Sequence, residues 1–597
     1  MERNILIRQL SAAVMGIACA MSASAVVPQQ SFCAGYGLDG ASAFSQVNSK
    51  AHVAAAARLD ASQINGSELV AVKFYMGYAA DVRDCLVFFT DDLSTEGRIY
   101  EQEFTPAEGW NYVWLDWPMD ITEYSNVYVG YELTCQGEPF GMAEGASDDS
   151  FLRTGSGAWT NPDGAQLCLA GVFTGGDYSA VEPTGIKFSP MPLPSIAGLD
   201  TPLLLEVTLT NTGINRLDHC TWSYTVDGIG GEATDNDFVM ALCNYGTADL
   251  KLPVVIPQEA GVGNHAVAVT IESDPGDRVT YSFTVDAYEK VYPHYPLVEV
   301  FTSQLCSNCP EGEEVLERSL AYSHSNAVKI SHHAGFRPDA FSIAASDTIA
   351  AACGVGTNPA MMLNRATAPG QSSAVSHPAL TSKEQFASLN HVNTLIGVDL
   401  DPVYYLPDDI LQVKVAMGRD AHSSAADVRL HVALCESGMV SWQYASGTTY
   451  SEYEQNDVPR AWLTPAVDGM AVEFGPDGEA AATLSLHMGE ASGVTVASRD
   501  NLTMVAFLTE GDTGEVLNCM SEPVALSDEV AIDHITSDAS SLLVEGRRVT
   551  ATSSEAAVYT LDGRLLERIP ALQSIELPAG IYVVSTSDAT TCKLVIR

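Results

Sequence analysis

Cys306-Ser307-Asn308-Cys309 places two thiols three residues apart, the spacing at which one disulfide closes within a single turn of chain. The run Pro296-Leu297-Val298-Glu299-Val300-Phe301 before it is apolar and β-branched and reads as a strand, and Glu311 to Ala321 reads as a helix. The pair therefore belongs at a strand-to-helix turn. There the unpaired amides and the dipole of the helix favour thiolate over thiol at the first sulfur. In a redox reading Cys306 attacks, Cys309 resolves, and Pro359, at the head of the apolar strand Ala360-Met361-Met362-Leu363, is a cis proline packed against the disulfide.

Together these residues resemble a thioredoxin-like domain, in which a CxxC pair opens the first long helix and a cis-proline loop faces it. Leu305 stands where the redox enzymes of that fold usually carry an aromatic residue, and Ser-Asn replaces their usual central dipeptides. The resemblance thus supports fold more than catalysis. It makes Glu299 the candidate for the buried proton-transfer acid, one residue out of the usual register. A wider set comprises Val298 to Thr302, Cys306-x-x-Cys309-Pro310, His332-His333, Asn358-Pro359 through Asn364-Arg365, and Asn456-Asp457-Val458-Pro459-Arg460-Ala461. Over roughly Tyr288 to Leu526 this set is similar to the twenty-eight-kilodalton outer membrane protein related family of Bacteroidetes. That resemblance implies a surface or outer-membrane protein with a thioredoxin-like core and an attached β-domain.

Both ends of the chain read as export signals. Arg3 and Arg8, an apolar stretch from Leu10 to Met21 and the small residues Ala23-Ser24-Ala25 form a secretory signal peptide over residues 1–25. Lipid attachment at Cys19 competes with this, but Gly16-Ile17-Ala18 lacks the usual leucine. At the other end, Val558 to Leu566 reads strand, Asp-Gly turn, strand, and Leu577 to Val584 and Lys593 to Arg597 supply two more strands. Residues 532–597 resemble the C-terminal sorting domain of the type IX (Por) secretion system, which makes secretion machinery an expected partner. Cys592 is foreign to that pattern, and a plain terminal β-sandwich is the competing reading.

A net charge of −46 excludes a phosphate-binding surface, so nucleic acid is not an expected partner. Asp91-Asp92 and Asp148-Asp149 read as solvated loops before they read as calcium sites. Thirteen cysteines less Cys19 leave twelve in an oxidising compartment, where disulfides are the default. Cys33 with Cys168, Cys85 with Cys135 and Cys220 with Cys243 are candidate pairs, Cys435, Cys519 and Cys592 are left over, and Cys353 lies close enough in sequence to Pro359 to approach the CxxC face. Zinc would need a second short-spaced pair, for which only His332 and His333 could substitute. No cofactor and no metal is expected.

The expected fold class is multidomain and mainly β, with sandwich modules around one central α/β thioredoxin-like domain. Residues 31–182 alternate short strands and turns in a pattern similar to jelly-roll modules, residues 184–287 resemble an immunoglobulin-like sandwich, residues 288–392 hold the thioredoxin-like domain, and residues 393–526 form a further β-sandwich. Trp110, Trp114, Trp117 and Trp159 are candidate surface aromatics, with Trp114 assigned to the core. Outside the signal peptide no stretch is long and apolar enough for a membrane helix, and an outer-membrane barrel lacks its regular alternation. The leading reading is an exported surface or secreted protein that binds a protein or glycan, its thioredoxin-like domain a disulfide-stapled scaffold. An extracytoplasmic thiol-disulfide oxidoreductase of oxidase or isomerase type is the alternative. A hydrolase ranks last, since neither Gly-x-Ser-x-Gly nor His-Glu-x-x-His occurs.

Overall fold

The computed structural model describes residues 27–60, 64–95, 97–145, 148–190, 194–233, 236–274, 276–390, 392–407, 409–488, 496–528, 542–545, 547–551, 555–560, 564–578, 580–586 and 591–596. The signal-peptide and Cys19 expectations lie outside these residues, as does the Asp562-Gly563 turn. The chain divides into two compact units. One takes the described residues up to Asp401 with Lys414–Ala482 and Asn501–Pro523; the other takes Pro402–Val413, the described part of Thr483–Asp500 and the described residues from Val524 on.

The larger unit is mainly β. Its first sandwich pairs a sheet ordered Phe32–Tyr36, Leu169–Thr174, Glu68–Met76, Gly109–Asp120 with a second ordered Tyr100–Glu103, Ala79–Thr90, Val127–Glu144, Ala43–Leu59, Ser150–Thr154. Alternate residues such as Leu69, Phe74, Val87, Phe89, Val129 and Tyr131 turn inward to one apolar core. A second sandwich sets Ile186–Pro190, Pro202–Asn211 and Thr247–Val255 against a sheet that includes Leu217–Val226, Gly263–Ser273 and Arg278–Tyr288. Its core centres on Leu205, Val207, Trp222, Leu252 and Val269.

The α/β layer follows. Strand β1 (Leu297–Thr302) runs parallel to β2 (Val328–His333) and antiparallel to β3 (Ala360–Leu363), in the order β2-β1-β3. Helix α1 (Cys309–Tyr322) joins β1 to β2, as a parallel crossover requires, and α2 (Ala344–Ala352) and the short α3 (Lys383–Ala387) follow. Because strand side chains alternate, Val298 and Val300 meet Leu316 of α1 and Phe386 of α3 on one face. The other face is shared. Phe301 packs with Ile349 and Ala350 of α2, while Leu297, Val328 and Ile330 join Ala433, Cys435, Val505, Phe507 and Cys519. Those partners belong to the next sheet, ordered β7 (Val458–Trp462), β4 (Val428–Glu436), β8 (Leu502–Glu510), β9 (Val516–Pro523). Residues 288–392 and the sheet that follows them therefore close over one core. Between β4 and β7 the chain makes a separate hairpin of β5 (Met439–Ala445) and β6 (Thr448–Gln455).

In the smaller unit, Ala556–Thr560 pairs antiparallel with Leu565–Ile569 and Gly580–Thr586, and Thr591–Ile596 closes that sheet's other edge. Val549, Val558, Ile569 and Val584 supply its small core.

Among the described residues the expected cysteine pairs are absent: Cys33, Cys168, Cys85, Cys135 and Cys220 take part in no disulfide, which leaves none of the three pairs formed. Register explains the first, since Cys33 stands opposite Val172 and not Cys168. Cys220 and Cys243 belong to different apolar clusters. Cys85 and Cys135 face one core on neighbouring strands, but bulges at Ala80/Arg83 and Arg83/Leu86 offset their register.

Candidate functional site

Cys306 and Cys309 are joined in a disulfide, with Cα atoms 5.5 Å apart. Cys309 is the first residue of α1, and Pro310 follows where a helix can spare the amide donor. The Asn358-Pro359 peptide is cis, and Pro359 reaches the first turn of α1 at Gly312. A Cβ on Gly312 would lie 3.0 Å from the ring carbons of both Pro359 and Pro378, so only glycine seats that turn against the two rings without displacement. The three predicted residues Cys306, Cys309 and Pro359 thus lie around one helix N-terminus.

The disulfide is enclosed. Cys306 is 5% exposed and Cys309 3%, while Leu305 beside them is exposed. The loop from Ser303 to Cys306 is held from two sides, by the Asp339 segment and by the hairpin. Gln304 N donates to Asp339 Oδ2 at 2.7 Å, and Asp339 also pairs with His333 Nδ1 at 2.8 Å. Burial alone would raise the Asp339 carboxyl, yet the hydrogen bonds from His333, Gln304 and Phe341 hold it below its ordinary value. From the hairpin, Gln443 Nε2 donates to the carbonyls of Ser303 and Cys306 at 3.1 and 3.2 Å, and Gln455 Nε2 steadies the Gln443 oxygen at 3.2 Å. Tyr444 N donates to Gln304 O, and Gln304 Nε2 to Trp442 O, each at 2.9 Å. Nothing in the sequence around residue 443 announces this clamp. The glutamines of an otherwise polar and aromatic hairpin carry no motif.

Glu299 does not serve the disulfide. With Val298 and Val300 turned to α1, the period of two sends Glu299 to the opposite face, where Arg365 Nε and Nη2 grip it bidentately, each at 2.7 Å. His332 Nε2 lies 3.3 Å from the same carboxylate. Burial alone would raise Glu299, but the Arg365 charge and these hydrogen bonds hold it well below the usual carboxylate range. A proton-transfer acid needs the reverse shift. Arg365 and Asn364 adopt left-handed backbone, which turns the guanidinium back beneath β1. Cys353, packed on the α2 face, is likewise separated by the sheet from α1.

The two histidines have structural partners. His332 stacks on Phe301 and bonds Ser346 at 3.0 Å, and His333 bonds Asp339. Among the described residues no group of three or more His, Cys, Asp or Glu is placed to hold a metal ion. Of the candidate aromatics, Trp114 is core, Trp110 lies under the buried Lys73 ammonium at 3.6 Å, and Arg153 covers Trp159. Trp117, 58% exposed, is left on the surface. No helix among the described residues is long and apolar enough to cross a membrane.

Residues 346–527 match the family model of the outer membrane protein Omp28. The match agrees with an exported protein of the cell surface or outer membrane. No curated protein matches the chain. Among solved structures, HBP35 of Porphyromonas gingivalis aligns at 16% identity over 51% of this chain and 99% of its own, with a TM-score of 0.34. A domain of the outer membrane lipoprotein Omp28 from Porphyromonas gingivalis aligns at 15% identity over 22% of this chain and 91% of its own, with a TM-score of 0.15.

Proposed function

We propose that this chain is an exported cell-surface protein of binding type, in which a thioredoxin-like layer carries the Cys306–Cys309 disulfide as a structural staple. One observation carries the reading: the disulfide is shut in by its own loop and the β5–β6 hairpin, while the buried acid beneath β1 is committed to Arg365. A disulfide working in exchange must present one sulfur to an incoming thiolate. Here Cys306 and Cys309 are both buried. The sandwiches fit a display role, with Trp117 the surface aromatic of the first. Residues 532–597 are read as a secretion sorting domain that delivers the chain outside.

The test is redox titration of the full chain together with trapping by Cys309→Ser. A staple titrates below about −300 mV and traps no partner. A higher potential with a trapped mixed disulfide replaces the staple with the oxidoreductase reading. A specific observation favours that alternative: Cys309 opens α1, and Pro359 packs on its first turn. In it, a substrate dithiol gives up two electrons and two protons to become a disulfide, and Cys306 and Cys309 are left as thiols. Binding itself is tested on glycan and matrix-protein arrays, where Trp117→Ala should weaken retention.

A further inference from the structure

A cleft of about 1270 Å³ runs between α1 and β6, with Ser307 and Pro310 of the disulfide loop on its rim. Its size exceeds that of pockets for small ligands, roughly 300–1,000 Å³. One wall is helical: Glu311, Glu314 and Glu317 recur every third residue, so their carboxylates follow the helix at a rise of about 4.5 Å. The other wall is a strand. Glu452 and Glu454 line the cleft from β6, whose stretch from Tyr450 to Tyr453 is bulged against β5. Tyr450 and Tyr453, stacked with ring centroids 6.2 Å apart, line the same strand wall.

Two further features point to what such a cleft takes. Lys329 already sits inside it, its ammonium contacting Glu313 at 3.2 Å, Asp457 at 3.3 Å and Glu317. The chain's own lysine thus shows how the cleft holds an alkylammonium. Even so, Glu311, Glu314, Glu452 and Glu454 are exposed, and among the described residues none of them has an ion-pair partner within the cleft. In addition, among the described residues β6 pairs with β5 alone, so the amides and carbonyls of its outer edge are open to a further strand.

We propose that this cleft binds an extended, lysine- or arginine-rich polypeptide segment, laid along the open edge of β6. Its backbone adds to the strand, its alternate cationic side chains meet the carboxylates of β6 and α1, and the tyrosines accept cation–π contacts. The inference rests on the binding reading above and names a partner class for it.

The experiment titrates a fluorescein-labelled oligo-arginine peptide with the full chain by anisotropy, beside an oligo-glutamate control. Saturable binding that weakens as salt rises is expected for the cationic probe alone. Reversing Glu314→Lys, Glu452→Lys and Glu454→Lys together should weaken it about tenfold, whereas Asp91→Lys, Glu101→Lys and Glu123→Lys together should change it less than about twofold. Equal losses would mean attraction to the −46 chain as a whole and would overturn the proposal, as would a probe that never saturates. Hydrogen exchange on the unaltered protein gives an independent readout. Amides of Thr448–Gln455 should slow when the probe is bound, and unchanged exchange there overturns strand addition. Failure of all these with array binding intact removes this partner class and leaves the binding reading standing.

Discussion

At the scale of single residues, the buried charges govern how the core responds to pH and to substitution. Arg365 neutralises Glu299 in a site with almost no exposure, so Arg365→Met leaves a carboxylate buried without its counter-charge. A loss of about 3–5 kcal/mol is expected in chemical denaturation, with Arg365→Met/Glu299→Leu recovering much of it. Glu299 stays ionised in the folded state below its ordinary pKa of 4.5, so its stabilisation is complete above that pH and is lost as acid is added below it. His431 acts at milder acidity. Burial, with the nearby Arg365 charge, pushes it down from 6.5 to about 4, so the folded state binds fewer protons than the unfolded one between those values. Stability should therefore decline as pH falls from about 6.5 towards 4, by up to about 3 kcal/mol. His431→Phe, stacked in the same place on Phe507, should flatten that slope in denaturation curves collected across the window. A slope that survives the substitution assigns the effect elsewhere.

At the scale of elements, the β5–β6 hairpin and the proline rings against α1 both brace the disulfide turn. Removing the Gln443 amide takes the side-chain donor from the buried Cys306 carbonyl, while Ser303 O keeps the Cys306 amide at 3.0 Å, so Gln443→Ala should cost about 1–3 kcal/mol. It should also speed reduction of Cys306–Cys309 by added dithiol, read as the rate of alkylation. Stability lost with no change in that rate would show that the hairpin does not gate the bond. Gly312→Ala improves intrinsic helix propensity by about 1 kcal/mol, yet its methyl meets two rigid proline rings. A net destabilisation of about 1–2 kcal/mol in thermal melts is expected, because neither ring can rotate away. Element identity was legible wherever pattern and packing agreed. The strand at Leu297–Thr302, the helix opened by the CxxC pair and the strands around Phe74 and Phe89 follow from β-branched runs and turn residues. The longest surprise is Ala43–Leu59. Its Ala54-Ala55-Ala56-Ala57 run has helical propensity and no alternation, yet forms a central strand because both its faces are covered.

At the scale of the molecule, the α/β layer does not own its core. Leu297, Val328 and Ile330 are buried by β4, β8 and β9, which lie over a hundred residues further along the chain than β1. Residues 288–392 expressed alone should therefore lack a cooperative thermal transition by circular dichroism. A cooperative melt would show that α1, α2 and α3 suffice to close the layer. The sequence by itself determined the chemistry available at residue 306, the strands and helix that flank it, the proline beside it and the acidic character of the whole, because these depend on residue type and short spacing. Only the tertiary structure decided which face each strand offers to which partner. That choice turned Glu299 from proton carrier into ion pair and kept Cys33 from Cys168. It also closed a distant hairpin over the disulfide and set two rows of carboxylates across one cleft. Burial and register act through neighbours remote in sequence, and short-range pattern holds no record of them.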